Sequence, residues 1–152
     1  MRGTRAPFDQ FVRGYIDAAL WSSTDDNDRP LDEDHYARDI APSSLKSIRR
    51  DCAKFFKRHR RDLASYCEHL VRHDDSSSPM SFAGHDLFLT RNGHGCGYWD
   101  RDGVGDSGVP AGPPGLGQRL TDAASAFGTS DLYVGDDGRL YVSPESPSRS
   151  RP

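Results

Sequence analysis

Between Leu45 and Leu70 the apolar side chains return every three or four residues. Leu45, Ile48, Cys52, Phe55, Phe56, His59, Leu63, Tyr66, Cys67 and Leu70 form a stripe that only an α-helix brings to one face. The same spacing joins Phe8, Phe11, Val12, Tyr15, Ile16, Ala19 and Leu20, so a first helix is expected over 8–21. The second helix starts after Pro42 with Ser43 or Ser44 as its cap. It either runs unbroken to about His73 or breaks near His59–Arg61. Residues 22–42 read as a polar loop with one turn near Tyr36–Ile40, and the DDSSSPMS stretch at 74–81 reads as a linker.

From Gly84 the apolar period falls to two. His85–Thr90 and Gly95–Asp100 flank Arg91-Asn92-Gly93-His94, and Asn-Gly between alternating segments is a strong hairpin signal. Residues 101–117 hold too many Gly and Pro for a regular element. Gln118–Phe127 reads as a short helix, and Leu132-Tyr133-Val134 with Leu140-Tyr141-Val142 as a second hairpin about Gly135–Gly138. The expected class is α+β: two N-terminal helices, a β-hairpin, a short helix and a second β-hairpin forming a small antiparallel sheet. Residues 1–142 make one domain, and 143–152 make a disordered tail.

Fewer than one residue in five is Leu, Ile, Val or Phe, and mean hydropathy is −0.77. A net charge of only −3 nevertheless keeps the chain among folding sequences. No apolar run is long enough for a membrane span, and the N-terminus shows no apolar signal core, so no membrane partner is expected. Cys52, Cys67 and Cys96 are odd in number and share no CxxC spacing, which speaks against a disulfide framework or a zinc knuckle.

The small net charge hides segregation. Residues 24–39 sum to −5, residues 44–73 to +6 and residues 83–142 to −4. The basic surplus lies opposite the stripe of the second helix, at Arg49, Arg50, Lys54, Lys57, Arg58 and Arg61. Such a face suits phosphate contacts, although Phe55 and Phe56 lie on or beside the apolar stripe, so no stacking platform interleaves the charges. The densest polar cluster is His85, Asp86, Arg91, Asn92, His94 and Asp100. Paired about the Asn-Gly turn, His85 would sit across from Asp100. His85, Asp86 and His94 are a donor set suited to zinc or manganese, the basis of a metal-dependent hydrolase as an alternative. No nucleophile with a spaced base is visible, so no catalytic residue and no cofactor is assigned. Asp25-Asp26-Asn27-Asp28 departs from a calcium loop at Arg29 and Pro30. Arg91, Asn92, His94 and Trp99 combine residue types that anchor interfaces and are the expected recognition patch.

GHDLFLTRNGHGCGYWDRD, the later DLYVGDDGRLY and the ALWSSTDD ending of the first helix together resemble a family of small uncharacterised proteins of tailed bacteriophages. The likeness spans roughly residues 8–142. It departs at VGDSGVPAGPP and at the basic second helix. That family has no established activity, so the resemblance implies a phage origin and action in the host cytoplasm, with no catalytic residue carried over. The expectation is a small protein that binds and modulates a host macromolecule, most simply a host protein. A nucleic-acid-binding accessory protein using the basic helix is the alternative.

Overall fold

Five helices and one two-stranded sheet make up the regular structure of the computed structural model, among the described residues 2–71, 77–94, 96–104 and 113–143. Helix α1 spans Arg2–Ser22, α2 Pro42–Arg58, α3 Arg60–His69, α4 Pro79–Arg91 and α5 Leu116–Ser125; strands β1 (Leu132–Val134) and β2 (Leu140–Val142) pair antiparallel. The expected tail, most of the Gly/Pro-rich loop and the first part of the 74–81 linker lie outside the described residues.

The two apolar stripes face each other. Phe8 packs on Phe56, Phe11 stacks on Phe55 at 6.1 Å, and Arg91 joins Tyr15 of α1 to Asp51 of α2. Phe11 and Phe55 are fully buried, each contributing about 2–3 kcal/mol by leaving water. The α2 stripe does break: His59, at φ −118° and ψ 32°, closes α2 with its amide on Phe55 O, and α3 restarts at Arg60. Lys54 with Arg58 and Lys57 with Arg61 stand four apart with like charge, which disfavours one straight helix here. The bend keeps Leu63 and Tyr66 turned into the same core.

The 22–42 loop is more ordered than its polarity implies. Leu31 is buried, and one-turn 3-10 helices occupy Leu31–Glu33 and Ala37–Asp39. The Asp25 carboxylate accepts the amides of Asn27 and Arg29, so it closes a turn.

The hairpin expected over 85–100 does not form, and the expected α+β class with a two-hairpin sheet is corrected to a mainly helical fold. Residues 79–91 are α4, and Tyr98–Asp100 is one 3-10 turn. Ser78 caps α4 by accepting the Ser81 amide, and Pro79 holds the first helical position. Asn92 ends the helix, and Gly93 (φ 66°) takes the left-handed position beyond it, so Asn-Gly here terminates a helix. Helix α4 is buried nearly all round from Ala83 to Arg91, so its sequence carries no one-sided stripe.

Helix α4 lies against α1. Gln10 meets Ser78, Tyr15 meets Phe88 and Trp21 meets His85, so the two run parallel. At their crossing a Cβ on Gly14 would stand 1.7 Å from the Ser81 carbonyl oxygen, and one on Gly84 1.8 Å from that of Phe11. Only glycine permits so close an approach. The segment after α4 then folds back as a strap: Tyr98 stacks on Phe55, packs edge-on against Tyr66 and donates to Ala83 O at 2.6 Å.

Strands β1 and β2 close the other end of α2. Ala41 N–H donates to Leu140 O, Val142 N–H donates to Ser44 Oγ, and Ile40 bridges Leu140. The hairpin thus sits at the N-terminus of α2, beside the returning acidic loop.

Candidate nucleic-acid interface

The bend between α2 and α3 gathers cations. Lys54, Lys57, Arg58, Arg60 and Arg61 are all exposed, and Lys57, Arg58, His59, Arg60, Arg61 and Asp62 line an open depression of about 560 Å³. Asp62 already pairs with Arg119 from α5 at 2.9 Å. None of the five cations has a carboxylate partner among the described residues. Arg49 lies 3.8 Å from Asp9, with its guanidinium over the Phe8 ring, and Arg50 reaches Asp51 at 3.7 Å. The free charge therefore concentrates at the elbow, with Arg49 and Arg50 as weaker, partly paired contributors.

Arg60 follows Arg49 by eleven residues, about three turns, so even a straight helix would bring it to the Arg49 edge of the basic face. The break at His59 makes it part of the elbow, and the Arg58-His59-Arg60-Arg61 run is the signal that shows it. His59 itself is not one of the cations. Its ring lies 4.8 Å from that of Phe55, and burial holds its pKa below the usual imidazole range, with Arg58 adding to the effect and Asp62 opposing it.

The expected recognition patch divides. Arg91 is buried, donating to Gly128 O at 2.8 Å, Asp51 Oδ2 at 3.0 Å, Tyr15 Oη at 3.1 Å and Phe127 O at 3.3 Å. Asn92 accepts the Ser130 amide at 2.7 Å while its own amide donates to Phe88 O. Both are spent on holding the 127–130 turn against α4. His94 is exposed near Asp131 and stacks on Phe88, and Trp99 is half-buried on the strap. Only these two remain accessible to a partner.

The proposed metal set does not converge. Asp86 is fully buried, with both oxygens taken by a fork from Arg101 (2.6–3.1 Å) and by the Tyr66 hydroxyl at 2.7 Å. Burial pushes its carboxyl above the usual range, while Arg101 and Tyr66 pull it back down. His85 sits between the Trp21 and Phe82 rings with its Nδ1 4.0 Å from Asp86, whereas His94 faces Asp131. The expected pairing of His85 with Asp100 belonged to the absent hairpin; Asp100 instead accepts the Gly97 amide. No group of three His, Cys, Asp or Glu residues suited to a metal occurs among the described residues.

The thiols are similarly unpromising as nucleophiles. Burial raises the pKa of Cys52, pushes that of Cys67 up to about 11 and raises that of Cys96. No described helix is long and apolar enough to cross a membrane.

No protein-family model, curated protein or solved structure matches the chain.

The charge map then stands on geometry alone. Helix α2 is a ruler about 25 Å long at 1.5 Å per residue. At its N-terminal end lie the acidic 24–39 loop and the hairpin with Asp131, Asp136 and Asp137; at its C-terminal end lies the basic elbow. The Debye length at physiological salt is about 8 Å, so each pole acts on a partner separately and the net charge decides little.

Proposed function

We propose that this is a non-catalytic binding protein whose basic elbow engages the phosphate backbone of nucleic acid. The observation that carries the reading is the set of five exposed cations at the α2–α3 bend without carboxylate partners among the described residues. A cation already paired gains little from a phosphate; one held free gains the full counterion release. The buried engagement of Arg91 and Asn92 favours this surface over the patch at the end of α4. On the resemblance to small phage proteins, the setting would be the host cytoplasm and the target a macromolecule of the infected cell.

Charge reversal tests the reading. The double variant Lys57→Glu, Arg61→Glu alters only exposed side chains and is expected to melt within a few degrees of the parent. Its binding to labelled DNA at low salt should fall at least about tenfold. Undiminished binding would remove the elbow from the account.

A further inference from the structure

The elbow also constrains the form of nucleic acid it takes. Resting on the reading above, we infer that the elbow binds double-stranded nucleic acid through its backbone, without sequence preference.

Two observations lead there. The first is where the aromatic rings lie. Single-strand binders gain about 1–3 kcal/mol per base by stacking bases on exposed rings. At the elbow, Phe55 and Phe56 are buried and the His59 ring lies against Phe55. Of the exposed rings, Tyr36 lies in the acidic loop and Tyr133 in the hairpin, where a phosphate chain is repelled, and Trp21 lies at the end of α1 against His85 of α4. A single strand therefore finds no stacking platform beside the cations that attract it.

The second is charge density. Lys54 to Arg61 covers about 10 Å of helical rise. A duplex presents one charge per roughly 1.7 Å of axis, or about six over that length, whereas one of its strands presents about three. Five free cations match the duplex. The elbow also carries no Asn or Gln, the side chains that read adenine edges, and its arginines line an open depression where they meet phosphates first. The acidic pole, about 25 Å away along α2, keeps the nucleic acid at the elbow end and the footprint short.

Fluorescence anisotropy on the full chain separates the outcomes. The probes are a short labelled DNA duplex, either of its strands alone, and a second duplex of unrelated sequence, all at the same salt. The duplex is expected to bind about tenfold tighter than the strand, and the two duplexes to agree within about threefold. A single strand binding as tightly as the duplex, or more tightly, would overturn this inference while leaving the phosphate-binding reading in place. So would a large preference between the two duplexes. Failure of every probe to bind would overturn the reading itself and this inference with it.

Discussion

His85 sits against the Trp21 and Phe82 rings with its Nδ1 lacking a hydrogen-bond partner. Burial, reinforced by Arg101 and opposed by Asp17, lowers its pKa to about 4. Unfolded, it titrates near 6.5, so between these values the unfolded chain holds more protons than the folded one. Its contribution to stability is therefore complete above pH 6.5 and is lost as the pH falls through 4, by up to about 3 kcal/mol. Asp17, raised by burial, carries the opposite sign and softens the decline. His85→Gln should flatten the dependence of the urea midpoint on pH over this interval; an unchanged slope would contradict the assignment. Arg91 yields a second test at this scale. Arg91→Met strips four acceptors of a donor and leaves Asp51 with only the exposed Arg50 at 3.7 Å, a loss of about 3–5 kcal/mol in urea unfolding. Arg61→Met, at an exposed position, should change stability by less than about 0.5 kcal/mol. Equal effects would mean that Arg91 is not the buried hub.

At the scale of elements, the fold turns on the α1–α4 crossing. A methyl at Gly14 or Gly84 would collide with backbone oxygen that no rotamer change can move, so the helices themselves must separate. Gly84→Ala is expected to cost more than the 1–3 kcal/mol usual for overpacking, seen as a lower urea midpoint, and an unchanged midpoint would mean that the helices do not meet so closely. This crossing was also the least legible part of the sequence. Helices α1 and α2 could be read because each has a wet side, which gives the 3.6 period its contrast. Helix α4 is surrounded by α1, α3, α5 and the strap, so solvent writes no period into it, and His85-Asp86-Leu87-Phe88-Leu89-Thr90 imitates a strand. Asp86 and Arg91 appear as surface polar residues in that imitation, although each is buried against partners far along the chain, Arg101 and Tyr66 in one case, Tyr15 and Asp51 in the other. Ser78-Pro79 was the local sign of a helix start, outweighed by Asn92-Gly93, whose turn chemistry serves a helix end as well as a hairpin. The Leu132–Val142 segment forms a hairpin because one side of it stays in water while Leu132 and Leu140, with the partly buried Val134 and Val142, face the core.

For the whole molecule, the sequence shows charge segregated along the chain, and the fold converts this into separation in space. The acidic loop and hairpin gather at one end of α2 and the cations at the other. The basic face could be read from helical spacing, and a break near His59–Arg61 was one of the two courses open to the helix; the direction of the bend could not be read, because no Pro or Gly marks it and tertiary packing of Leu63 and Tyr66 sets it. The central claim is that these free cations neutralise phosphates. The dissociation constant for a DNA duplex, followed from low to physiological salt, tests it most directly. With about four or five phosphates engaged, the logarithm of the association constant should fall with that of salt at a slope near −4, and the Lys57→Glu, Arg61→Glu variant should lose about two units of that slope. A slope near zero, or one that the double reversal leaves unchanged, would contradict the account.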